Sequence, residues 1–115
     1  MQQLNRVELR GTVGSTRITE VGSTRLLRMT VATNRAYKAQ DGTAVIETTW
    51  HMVSAFPGED IAEFESFSRG DKVGITGRIM NQRVMGEDGI ERSVSEIRAS
   101  RISHLETDEP LQYEM

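Results

Sequence analysis

Side-chain polarity alternates with a period of two over most of this chain, and that pattern commits it to sheet. Successive side chains of a strand point to opposite faces, whereas a helix with one buried face needs apolar residues three or four apart. Val7, Leu9, Gly11 and Val13 alternate with Arg6, Glu8, Arg10 and Thr12. After Gly14 the pattern predicts that residues 16–21 continue this strand past a bulge, which a glycine inside a strand often marks. In residues 25–34, Leu27, Met29, Val31 and Thr33 share one side, and Leu26, Arg28, Thr30 and Ala32 the other. A third strand is predicted over residues 45–56. A fourth covers 72–84, with Val73, Ile75, Gly77 and Ile79 inward, and a fifth covers 93–105. The apolar phase of the fifth shifts between Ile97/Ala99 and Ile102, which predicts a bulge near Ser100.

One segment reads as helix. Pro57-Gly58-Glu59-Asp60 is a start signal with acids in the first turn. Ile61, Phe64 and Phe67 follow at helical spacing and Gly70 supplies a stop, so a short helix is predicted over about residues 60–68. Gln40-Asp41-Gly42 and Gly86-Glu87-Asp88-Gly89 carry Asp-Gly, a favoured hairpin turn signal. Five strands with one short helix between the third and fourth is the order of the OB-fold, a mainly β barrel whose strand 2–3 face and 1–2 and 4–5 loops bind oligonucleotides. The chain length, 115 residues, suits one such domain over residues 1–105. Residues 106–115 are polar, acidic and contain Pro110, and are expected to be a disordered tail.

Charge narrows the partner. The net charge is −3, but residues 1–105 hold 14 basic and 13 acidic side chains, and the tail adds Glu106, Asp108, Glu109 and Glu114. Five acids lie within residues 59–71, beside Arg69 alone, so the rest of the body carries 13 bases against 8 acids. Twelve of the 14 bases are arginine, which forks onto phosphates and stacks on bases. Arginine also simply solvates exposed strand faces, so charge alone does not name the partner. With no cysteine, disulfides and cysteine-based zinc sites are excluded. The first residues lack the apolar run of a signal peptide, and no stretch of about 20 apolar residues spans a membrane. A cytoplasmic location is expected.

The third strand carries the most chemistry. Ile46, Thr48, Trp50, Met52, Ser54 and Phe56 share one face, and His51, Val53 and Ala55 share the other. Trp50 and Phe56 are two of six aromatic residues, and either belong to the core or form platforms on which bases stack, at about 1–3 kcal/mol each. Spacing leaves both readings open. Catalysis has less support. His51 and His104 lie in different strands, no phosphate-cradling glycine motif occurs, and most carboxylates sit at turns or in the acidic segment. No enzyme activity, catalytic residue, metal or cofactor is expected.

Four ordered stretches resemble the bacterial single-stranded-DNA-binding protein family. They are Asn5-Arg6-Val7-Glu8-Leu9-Arg10-Gly11-Thr12-Val13-Gly14, Val31-Ala32-Thr33-Asn34, Thr49-Trp50-His51-Met52-Val53-Ser54-Ala55-Phe56, and Gly70-Asp71-Lys72-Val73-Gly74-Ile75-Thr76-Gly77-Arg78-Ile79. The resemblance implies an OB-fold homotetramer that binds and protects single-stranded DNA in replication, recombination or repair. It implies base stacking on Trp50 and Phe56, basic contacts at Arg6 and Arg83, and a subunit-interface place for His51. Strand phase adds Arg10, Arg28 and Arg78 as phosphate contacts.

The departures matter too. Tyr37 stands where the family commonly has a tryptophan in the 2–3 loop and is expected to replace it as a smaller platform for a base, whereas Val84 occupies the tryptophan position of the 4–5 hairpin. Fewer rings predict weaker binding than in a typical member. The family's long linker is essentially missing, and Asp108-Glu109-Pro110-Leu111 is followed by Gln112-Tyr113-Glu114-Met115, so recruitment of replication or repair proteins through the tail is doubtful. The alternative is an OB-fold protein-interaction or primosome-like accessory protein with weak DNA affinity.

Overall fold

The computed structural model describes residues 1–106 and the backbone of residues 113–114. Five long strands follow in chain order: β1 (Val7–Val21), β2 (Thr24–Lys38), β3 (Ala44–Ala55), β4 (Lys72–Met85) and β5 (Glu91–His104). They pair in the order β1-β4-β5-β3-β2, and β1 also pairs with β2, which closes the sheet into the five-stranded OB-fold barrel. A two-residue strand, β6 (Tyr113–Glu114), lies parallel to β2 at Ala36 and Tyr37. The tail expected to be disordered otherwise lies outside the described residues.

Both bulges fall where the sequence predicts them, one at a glycine inside a strand and one at a shift of apolar phase. In β1, Val13 pairs with Val31 and Ser15 with Thr30, leaving Gly14 as the extra residue. In β5, Thr76 faces Arg101 and Gly77 faces Ala99, leaving Ser100 over; its hydroxyl donates to the Thr76 carbonyl at 3.2 Å. Each extra residue bends its strand and strengthens its twist, which helps a short barrel close. The Asp-Gly turns form as well. Gly42 and Gly89 take φ of 87° and 77°, a region only glycine enters without strain, and Asp41 and Asp88 accept the backbone N–H two residues on, at 2.9 and 3.0 Å.

The inward residues of all five strands meet in one core that includes Val13, Leu27, Met29, Val31, Val53, Val73, Ile75, Ile97 and Ile102. Phe64 and Phe67 close one end of it. The helix predicted over residues 60–68 is not formed. Only a three-residue 3₁₀ turn, Phe64–Ser66, occurs between β3 and β4. Ile102 N–H donates to the Asp60 carbonyl and Ala62 N–H to the Ile102 carbonyl, so β5 takes these backbone groups before a helix can use them. The three-residue spacing of Ile61, Phe64 and Phe67 also suits a 3₁₀ turn, with its three residues per turn.

Ile79 corrects a second expectation, being 51% exposed instead of inward. Pairing of β4 with β1 stops at Gly77, while its ladder with β5 runs on to Met85 opposite Glu91. Beyond Gly77 the two strands are therefore a hairpin leaving the barrel. Asn5 replaces the missing neighbour: its side chain donates to the Ile79 carbonyl at 2.7 Å and accepts from the Ile79 N–H at 2.9 Å.

Candidate nucleic-acid interface

Strand β3 settles the place of its aromatic residues. Val53 and Ala55 are buried in the core, and Trp50, on the alternate face, is 61% exposed. Phe56, one residue past the strand, is 39% exposed. Both therefore lie outside the core. Thr12 faces Ala32 across β1 and β2, and Ala32 faces Trp50 across β2 and β3. These small neighbours leave the indole open to solvent.

One row across the outer face gathers charge. Arg17 pairs with Arg28, Arg28 with Ser54, Ser54 with Arg98 and Arg98 with Arg78, so four arginines from β1, β2, β5 and β4 cross the barrel with Ser54 between them. Directly opposed residues share a face, and like charges opposite each other destabilise a sheet. Arg17, Arg28 and Arg78 are exposed. Arg98 is different, with a side chain only 19% exposed. Its Nε donates to Ser54 Oγ at 2.9 Å, and its guanidinium carbon lies 4.8 Å from the centre of the Phe56 ring. The Glu96 carboxylate lies 3.8 Å away. Ser54 is fully buried on an outward-facing position because Arg98 covers it.

The row brings the predicted Arg28 and Arg78 together with Phe56, and Trp50 lies four residues from Ser54 along β3. It also contains Arg17 and Arg98, which sequence reasoning missed. Arg17 follows the β1 bulge and its phase depends on that extra residue. Arg98 joins only through the parallel β3–β5 pairing, for which no local sequence signal exists.

The other predicted residues lie elsewhere. Arg10 is exposed opposite Gly74, on the β1–β4 side of the barrel. Arg6 Nη2 donates to Glu8 Oε1 at 2.7 Å, and this hydrogen bond holds the Glu8 carboxyl below its ordinary value. Arg83 lies near the hairpin tip, 3.6 Å from Glu91. Tyr37 pairs with Val45 and so projects from the opposite face of the β2–β3 ribbon to Trp50; Arg35 sits 5.1 Å from its ring centre. His51 is half-buried, with Nε2 2.8 Å from Thr33 Oγ1. It borders a cavity of about 280 Å³ that Trp50, Met52, Ile79, Ser95, Glu96 and Ile97 also line.

One constellation imitates a hydrolase. Ser66 Oγ lies 2.9 Å from His104 Nε2, and His104 Nδ1 lies 4.0 Å from Asp71. Ser66 already gives its proton to the Glu63 carbonyl at 2.6 Å, so the histidine meets an acceptor and not a nucleophile's O–H. The aspartate is also beyond hydrogen-bond length. Among the described residues no group of three histidine, aspartate or glutamate side chains is arranged to hold a metal.

Residues 4–105 match the model of the single-strand binding protein family. The chain belongs to that family. Among relatives of the single-strand binding protein family, the single-stranded DNA-binding protein of Xylella fastidiosa (strain Temecula1 / ATCC 700964) is 33% identical over 107 residues, covering 89% of this chain and 63% of that protein. The protein of the same description from Xanthomonas axonopodis pv. citri (strain 306) is 30% identical, over 89% of this chain and 58% of its own length. The chain thus spans less than two thirds of these relatives. In fold it resembles a Plasmodium falciparum SSB solved in complex with ssDNA, with a TM-score of 0.75 at 17% identity, covering 92% of this chain and 98% of the other. It also resembles a deletion mutant of the single-stranded DNA binding protein from Thermus aquaticus, with a TM-score of 0.71 at 24% identity over 90% of this chain and 51% of that one.

Proposed function

We propose that this chain binds and protects single-stranded DNA without sequence preference, acting in the cytoplasm on DNA exposed in replication, recombination or repair. The observation that carries the reading is the placement of Trp50 and Phe56, two exposed rings on one barrel face, beside the row of Arg17, Arg28 and Arg78. Bases stack on the rings through π-faces that every base has, and phosphates follow the arginines. An anionic strand laid along the row relieves the repulsion between the opposed cations. Arg6, Arg10 and Arg83 extend the basic surface, and Tyr37 serves a strand that passes round the edge of the β2–β3 ribbon. The protein acts as a binder and not as an enzyme, and needs no cofactor.

The same reading includes a homo-oligomer, a tetramer in keeping with the family resemblance. His51, which the family resemblance places at a subunit interface, marks the surface on which subunits meet. Contacts with replication or repair proteins through the acidic tail are not part of the proposal.

A titration of oligo-dT while following fluorescence tests this, because Trp50 is the only tryptophan. Quenching that weakens as salt rises supports the reading. A second reading draws on the β4–β5 hairpin, where Val84, Met85 and Ile90 are exposed. An apolar hairpin tip suits a protein partner, as in a primosome-like accessory protein. Absence of quenching even at low salt would favour it.

A further inference from the structure

Phe56 differs from Trp50 in having a cation against it, and that contact points to a division of labour among the arginines. We propose that Arg98 is a positioning residue, which fixes the Phe56 ring as a stacking platform without itself holding phosphate; this rests on the single-stranded-DNA reading above. The guanidinium is held by two polar groups besides the ring. Its Nε donates to buried Ser54 Oγ, and the Glu96 carboxylate lies 3.8 Å from Nη2. Glu96 is itself buried, and its Oε2 has no hydrogen-bond partner among the described residues, so Arg98 is the cation placed to balance it. A side chain so committed, and only 19% exposed, is poorly placed to fork onto a phosphate. What it presents is a flat charged plane 4.8 Å from the Phe56 ring centre.

A phenylalanine beyond the end of a strand is free to swing about two side-chain torsions, and a base that stacks on it must first stop that motion. Arg98 lies over the ring, which is still 39% exposed and so accessible to a base. Ordering the ring in advance removes a cost that binding otherwise bears. Arg17, Arg28 and Arg78, which are exposed in the same row, then supply the phosphate contacts. Lysine at position 98 keeps the charge that balances Glu96 but loses the plane that lies on the ring, so it separates the two roles.

The test measures oligo-dT affinity for the wild type, Arg98→Lys, Phe56→Ala and the double variant, with thermal midpoints taken in parallel. Arg98→Lys should bind about two- to tenfold more weakly, the range expected from freeing one side chain. It should have no further effect once Phe56 is alanine. Ser54→Ala, which frees Arg98 Nε, should weaken binding in the same direction and by less. Losses that add to those of Phe56→Ala would make Arg98 a direct phosphate contact and overturn the proposal. So would wild-type affinity in a folded Arg98→Lys. Each of these results leaves DNA binding itself intact, whereas a wild type that does not bind oligo-dT removes both readings together.

Discussion

The indole of Trp50 lies so close over Gly14 that a Cβ at that glycine would stand 2.4 Å from Trp50 Cζ3. The β1 bulge thus does two things at one residue: it bends the strand, and it provides a bare patch of backbone on which the ring rests. Gly14→Ala should push the ring off this seat. Oligo-dT affinity should fall by part of the roughly 1–3 kcal/mol that one stacked base contributes, and Trp50 emission should change in the free protein. The thermal midpoint should fall too, because the same Cβ would stand 2.9 Å from Thr30 Oγ1, which is hydrogen-bonded to Ser15 Oγ. A fluorescence titration and a melting curve on the same sample check both.

Trp50→Ala removes the exposed ring that the proposed function uses as a platform. Affinity should drop by about 1–3 kcal/mol with the fold retained, read by anisotropy of a labelled oligonucleotide since the intrinsic signal is lost. Undiminished binding would refute the stacking role.

Arg17 and Arg28 oppose each other on neighbouring strands. Neutralising either to glutamine should reduce the slope of log affinity against log salt by about 0.7 for each phosphate that is no longer neutralised. Removing one of two opposed cations also lessens their repulsion, so stability should be unchanged or slightly higher. Salt titrations and melting curves of the two single variants separate these effects.

Glu8 competes for Arg6. Their ion pair is exposed and adds little stability of its own, but it occupies a guanidinium facing the solvent. Glu8→Gln should tighten oligo-dT binding modestly and steepen the salt slope by up to about 0.7. A shallower slope in this variant would rule out Arg6 as a phosphate contact.

Acid should weaken the fold. Glu8 and Glu65 are held below the ordinary carboxylate value chiefly by hydrogen bonds from Arg6 and Arg25, Asp41 by the Thr43 side chain, and Asp88 by the Ile90 N–H. A carboxyl whose folded value is depressed contributes stability above its unfolded value, and loses it as pH falls through the folded one. Stability should therefore be flat near neutrality and decline below about pH 4, with a smaller decline in high salt because these groups are exposed. Denaturant midpoints across that range check the direction.

The sequence showed more of the fold than of the interface. Alternation exposes every strand, Gly14 marks one bulge, and a phase slip reveals the other, because a single extra residue moves apolar side chains to the other face. Alternation has no sign, however: it places Trp50 and Phe56 together without saying whether their face is inside or out. The answer came from Val53 and Ala55, which fill the core from the other side. The arginine row was out of reach for a related reason. Arg17, Arg28, Arg98 and Arg78 are neighbours through four pairings, and the parallel one between β3 and β5 leaves no local trace. The same distance effect concealed the fate of residues 60–62, whose backbone is bonded to Ile102.

That parallel pairing has a mechanical consequence. The barrel is held shut there by only two residue pairs, Val53 with Ile97 and Ser54 with Arg98, 44 positions apart in the chain, while the antiparallel ladders beside it are longer. A joint so brief, between segments so far apart, is the latch of the molecule: late to fasten as the chain folds and early to loosen in thermal breathing. A polymer lying over Phe56 and the flanking arginines grips both sides of that latch. Amide exchange at residues 53–54 and 97–98 should then slow more on binding than anywhere else in the barrel, which makes the ligand a clasp for the fold as well as its cargo.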